Sequence, residues 1–140
     1  MSEKRSFSPY LFFPGNAEEA FLFYKKAFGG EFSSVMRYKG LEGQEFPPDA
    51  VEKIMHISLP ISEGLELMAS DSIESMGPGL VVGNNFAVSI DVQSRKEADR
   101  LFEQLSSGGK VQSAMKEEFW GSYFGMLTDR FGIQWMISSK

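Results

Sequence analysis

The sequence predicts an α+β fold built from two βαβββ modules. Three observations lead there. Two amphipathic stretches each run to a Gly-Gly pair, at Gly29-Gly30 and Gly108-Gly109; each is preceded by one strand-like run; and each is followed by three more. The order strand, helix, strand, strand, strand therefore occurs twice in 140 residues.

The first strand is read over FSPYLFF (7–13). In the first helix Ala17, Ala20, Phe21, Tyr24, Ala27 and Phe28 recur at steps of three and four, which lays them along one face. Asn16 stands at the N-cap position, with Glu19 three residues on, and Gly29-Gly30 supplies the stop. Three strands follow, at 31–38, 52–60 and 64–70, separated at 39–50 by an irregular stretch read as a mobile loop able to cover a site. Residues 72–83, with Gly77-Pro78-Gly79, read as a linker. The second module opens with a strand at 84–92. Ser94 and Glu97 then form a capping box, and Ala98, Leu101, Phe102 and Leu105 make the apolar stripe of the second helix. Strands at 109–115, 121–128 and 132–138 complete it. The whole, 1–140, is read as one domain with an internal repeat of 7–71 and 84–138.

Alternation along the strands predicts two unlike sheet faces. Met55, Ile57 and Leu59 oppose Ile54, His56 and Ser58; Leu65, Leu67 and Ala69 oppose Glu66, Met68 and Ser70. Phe86, Val88 and Ile90 oppose Asn85, Ala87, Ser89 and Asp91, while Ile133, Trp135 and Ile137 oppose Gln134, Met136 and Ser138. The apolar face is where helices pack. The other, small, polar or methionine-bearing, is either a solvated surface or a site. In the final hairpin Asp129 is placed to bond the turn backbone and Gly132 to supply a positive φ, with Trp135 on the helix side and Phe124 and Met136 on the other.

Composition excludes several functions. Net charge is −5 without a lysine or arginine run, which argues against nucleic acid or an anionic membrane as partner. No stretch of about 18 apolar residues is present to span a bilayer. The opening MSEKRS lacks the apolar core of a secretory signal, so a cytoplasmic location is expected. There is no cysteine, hence no disulfide, thiolate chemistry or cysteine-held zinc. Ser58, Ser70 and Ser89 have no nucleophile-elbow context, and no glycine-rich strand-to-helix turn of the nucleotide-binding kind occurs.

The stretches PYLFFPGNAEEAFLFYKKAFGG (9–30), MHISLPISEGLELMASD (55–71) and WGSYFGMLTDRFGIQWMI (120–137) resemble the PhnB-like branch of the vicinal oxygen chelate, or glyoxalase/bleomycin-resistance, superfamily. Proteins of this branch often carry the label 3-demethylubiquinone 3-methyltransferase, which the residues themselves do not support. The resemblance implies eight strands curled as a mixed sheet around a cavity, commonly in a homodimer. Catalytic relatives hold a divalent metal with His and Glu on the first, fourth, fifth and eighth strands. Carried over, these positions fall on Ser8 or Pro9, on Glu66, Ser70 or Asp71, on Asn85 and on Met136. At least three of four ligands are thus replaced by residues that do not suit such a metal, and no metal or other cofactor is expected.

The reading of the sequence is a metal-free small-molecule-binding protein, its ligand held in a sheet-lined cavity by His56, Glu66, Met68, Ser70, Asn85, Phe124 and Met136. His56, the only histidine, is the candidate for proton transfer because imidazole titrates near neutrality; it is alternatively a histidine satisfied by its neighbours, or a partner of Glu66. The alternative function is a metal-dependent lyase, isomerase or dioxygenase, including a replacement metal site of His56 with Glu66 or Asp71.

Overall fold

The computed structural model describes residues 5–140. Of the N-terminal stretch from which the location is argued, only Arg5 and Ser6 fall within them. The described residues divide into two compact units, with the boundary between Val81 and Val82.

The first unit contains β1 (Tyr10–Phe13), α1 (Ala17–Phe28), β2 (Ser34–Arg37), β3 (Ile54–Ser62) and β4 (Leu65–Asp71). Its sheet has the order β1-β4-β3-β2, with β1 parallel to β4 and the other pairs antiparallel. The second unit repeats the plan with β5 (Val88–Asp91), α2 (Arg95–Ser106), β6 (Lys110–Glu117), β7 (Tyr123–Thr128) and β8 (Gln134–Ser139), in the order β5-β8-β7-β6. The eight strands thus make two open four-stranded sheets rather than one continuous sheet. No helix among the described residues is long and apolar enough to cross a membrane.

Each sheet buries one face against its own helix. In the first unit Ala17, Ala20, Phe21, Tyr24 and Ala27 of α1 meet Leu11, Phe13, Ile57, Leu59, Leu67 and Ala69, all buried. In the second, Ala98, Leu101, Phe102 and Leu105 of α2 accompany Leu127, Trp135 and Ile137. Burying the leucine, isoleucine and phenylalanine side chains among them contributes about 1.5–3 kcal/mol each. The helix residues, and Ile57, Leu59, Leu67, Ala69, Trp135 and Ile137 of the strands, are ones that the helical and period-two patterns select; Leu11, Phe13 and Leu127 are added by the structure.

Three local expectations are corrected. Asn16 does not cap α1: its side chain makes no cap bond and its Oδ1 is buried without a partner. Asp71, at the end of β4, does that work from across the fold. Its Oδ1 accepts the Ala17 N–H at 2.9 Å and its Oδ2 the Ile54 N–H at 2.9 Å, so one buried carboxylate ties the helix start to the start of β3. The capping box of α2, in contrast, forms as read, with the Glu97 N–H donating to Ser94 Oγ at 3.1 Å.

Secondly, Ile54 lies in the core and not with His56. The β2–β3 pairing passes from Met36–His56 to Arg37–Ile54, skipping Met55, and this bulge reverses the parity of the strand start. Thirdly, the 39–50 stretch is tied down at its ends and at Phe46, while residues 42–45 between them are exposed. Lys39 N–H donates to the Val51 carbonyl, Tyr38 and Phe46 rings are 5.1 Å apart, and Ala50 is fully buried.

The final hairpin forms as the sequence indicates. Asp129 Oδ1 accepts the N–H groups of Phe131 and Ile133, and Gly132 has φ +90°. What sequence does not show is that Asp129 Oδ2 also accepts the Trp135 indole N–H at 2.8 Å, locking the buried ring to the turn.

Candidate functional site

The face of the first sheet turned away from α1 is the candidate site. Register builds it in rows. Tyr10 of β1 pairs with Met68 of β4, Met68 with Ser58 of β3, and Ser58 with Ser34 of β2. Beside this row Phe12 pairs with Ser70, and His56 with Met36. His56 and Ser70 each lie one residue beyond the Ile57–Ala69 pair, so the two rows run side by side. On the other side Glu66 pairs with Pro60. Hydroxyl, imidazole and thioether groups alternate over a face whose reverse is core along β1, β3 and β4, while Val35 of β2 stays exposed.

Within it the Tyr10 hydroxyl lies 3.2 Å from His56 Nδ1, with ring centroids 5.7 Å apart; the imidazole tautomer decides which group donates. Tyr10 also leans on Phe12 at 5.3 Å. Ser58 is 2% exposed, yet its Oγ has no hydrogen-bond partner in the protein. A buried hydroxyl left so costs about 1–3 kcal/mol.

His56 and Glu66 do not pair. Glu66 is placed against Pro60, and its Oε1 accepts from Ser33 Oγ at 2.6 Å. His56, Glu66, Met68 and Ser70 belong to the first unit's face; Phe124 and Met136 lie on the corresponding face of the second, where Met136 pairs with Ser89 and Met126. Asn85 is on neither face. Strand β5 starts only at Val88, leaving Asn85 in the preceding loop, which is held by a bond from Gln134 Nε2 to the Phe86 carbonyl. Sequence reading passed over Tyr10, Phe12 and Met36. In YLFF every residue is apolar or aromatic, so alternation has no contrast with which to distinguish the site side from the core side.

The residues do not suit the divalent metal that the superfamily implies. Among the described residues no three His, Asp or Glu side chains converge. Both Asp71 oxygens accept backbone N–H groups, Glu66 is bonded to Ser33, and the eighth-strand position is a thioether, a poor ligand for hard divalent ions. The same bonds engage both carboxylate oxygens of Asp71 and one of Glu66.

A cleft of about 350 Å³ does exist in the first unit, at the start of α1, lined among others by Glu18, Arg37, Glu52 and Lys53. Within it Arg37 donates two bonds to Glu18 and one to the Glu52 carbonyl; Lys53 donates to the Gly15 carbonyl, and the Glu52 carboxylate accepts from Lys39. The Arg37 hydrogen bond holds the Glu18 carboxyl below its ordinary pKa. Burial, and then the charge of Asp71, raises that of the Tyr38 phenol, whose hydroxyl donates to the Asp71 carbonyl.

Over residues 5–138 the chain matches the family described as 3-demethylubiquinone-9 3-methyltransferase. It is 32% identical to protein YjdN of Escherichia coli, over 94% of this chain and 92% of that one. Among solved structures, protein PA1353 of Pseudomonas aeruginosa is 36% identical, with 98% of each chain covered and a TM-score of 0.83. The PhnB protein of Bacillus cereus is 24% identical, with 97% and 100% covered and a TM-score of 0.78. The fold alone is shared with the fosfomycin resistance protein FosX of Listeria monocytogenes, at 14% identity, 100% and 94% coverage and a TM-score of 0.65.

Proposed function

The chain belongs to the 3-demethylubiquinone-9 3-methyltransferase family, a PhnB-like branch of the glyoxalase/bleomycin-resistance superfamily, and from that premise we propose that it binds a small aromatic or apolar molecule bearing a polar group, without a metal. The ligand lies on the first unit's sheet face. Met36, Met68 and Phe12 supply adaptable apolar contact, while Tyr10, His56 and Ser58 supply hydrogen bonds. The observation that carries the reading is the buried, unpartnered Ser58 hydroxyl two residues from His56 on the same face as the Tyr10–His56 pair. Binding is preferred to the methyl transfer in the family's name because the strand-to-helix connections, Pro14-Gly15-Asn16 and Val92-Gln93-Ser94, are not glycine-rich cradles for a nucleotide-like cofactor. The proposal includes a cytoplasmic homodimer, which sedimentation tests.

Ligand-observed NMR with a panel of phenols and aromatic carbonyls tests the site. Hits should lose at least tenfold in affinity on Tyr10→Phe with His56→Ala. Hits that bind the double variant unchanged overturn the placement. Stoichiometric Ni, Zn, Mn or Fe in protein purified without chelator overturns the metal-free reading in favour of metal-dependent catalysis.

A further inference from the structure

A second cleft, of about 690 Å³, opens within the second unit at the end of its sheet. Three short segments form it: the start of β6 with the glycines before it, the β7–β8 turn, and residues 82–84. One wall is a single row across the sheet, since Lys110 pairs with Thr128 and Thr128 with Gln134. Asn84 and Gln112 add two amide side chains, and Arg130 stands at the turn.

Among the described residues Lys110 takes part in no ion pair. Arg130 donates from its Nε to the Ser107 carbonyl at 3.0 Å and from its Nη2 to Ser107 Oγ at 3.2 Å. The guanidinium lies over Gly108, where a Cβ would come within 2.9 Å of Nε. The one lining carboxylate, Asp129, is 3% exposed and turned inward, its oxygens accepting from Phe131, Ile133 and Trp135. Two cations therefore line a polar cleft with no carboxylate exposed in its wall, in a chain whose net charge is −5. Gln134 gives its amide N–H to the Phe86 carbonyl, which leaves its amide oxygen to accept.

We propose that this cleft binds a small hydroxylated anion, its phosphate or carboxylate held by Lys110 and Arg130 and its hydroxyl groups by Thr128 and Gln134. The volume falls in the range of small-molecule sites, and ammonium with guanidinium is the pairing that oxyanions select. Asn84 and Gln112 supply donors to oxygen atoms further along the ligand. The site rests on the second unit's residues alone and stands whether or not the first unit's face binds an aromatic compound.

Titrating ¹⁵N-labelled protein with glycerol 3-phosphate and, separately, glycerate tests it. The amide signals of Gly108, Gly109 and Gly132 should shift saturably with at least one probe, and Lys110→Met should weaken that binding at least tenfold. Lys26→Met, on an exposed part of α1, should leave it within twofold. Response to the phosphate alone assigns a phosphate ester, and response to glycerate alone a carboxylate; either supports the site. No saturable shift with either probe, or equal losses in the two lysine variants, overturns it.

Discussion

Asp71→Ala separates the cap that the structure shows from the one that sequence suggests. The substitution removes the acceptor of two buried N–H groups, those of Ala17 and Ile54, each at 2.9 Å. Hydrogen bonds to a charged acceptor contribute about 1.5–3 kcal/mol each, so the expected loss is about 3–6 kcal/mol. That is a large share of a typical total of about 5–15 kcal/mol. Asp71→Asn keeps one acceptor and turns an N–H toward the other donor, so about half the loss should remain. Asn16→Ala deletes a buried oxygen that has no partner, so it should not lower stability and should raise it by up to about 1–3 kcal/mol, against a loss of about 1 kcal/mol for a working N-cap. Urea unfolding followed by far-UV circular dichroism measures all three. With m of about 1–3 kcal/mol per molar, the Asp71→Ala midpoint should fall by at least about 1 M. Both tryptophans, Trp120 and Trp135, lie in the second unit, so circular dichroism is the signal that follows α1. A loss below about 1 kcal/mol for Asp71→Ala, or an equal loss for Asn16→Ala, refutes the reasoning.

Two further outcomes follow from the geometry. Because its bond with Arg37 depresses the folded-state pKa of Glu18 below 4.5, the unfolded chain takes up the proton first as pH falls. The contribution of this half-exposed pair, at most about 1 kcal/mol, is therefore full above the unfolded value and lost as pH drops through the folded one; Glu18→Gln should lower stability at pH 7, with the difference from wild type shrinking as pH falls below the unfolded value, in paired urea melts. Gly109→Ala places a Cβ 2.3 Å from the Thr128 carbonyl oxygen, so it should cost about 1–3 kcal/mol or more, read from the thermal midpoint.

Where sequence reading succeeded, the signal was local and repeated. The helices of Ala17–Phe28 and Arg95–Ser106 and all eight strands were legible because apolar spacing at three-to-four and at two residues follows directly from backbone geometry. The Asp129–Gly132 turn was legible because its bonds close within four residues. Reading failed where a partner lies far along the chain. Asp71 caps a helix 54 residues earlier, a relation that no motif announces. The β-bulge at Met55 depends on how β2 pairs, so parity counted along β3 alone put Ile54 on the wrong face.

The candidate site divides in the same way. By itself the sequence determined the βαβββ repeat, the family and the presence of His56, Met68 and Ser70 on the face opposite the core, since alternation alone sorts residues within one strand. Only the tertiary structure decided that His56 meets Tyr10 and not Glu66, and that Ser58 is buried without a partner. It alone brought Lys110, Thr128 and Gln134 into one row. The physical reason is that a side chain's chemistry is fixed by its type, whereas its partners are fixed by register across strands distant in sequence, and register is settled only when one sheet face packs into the core.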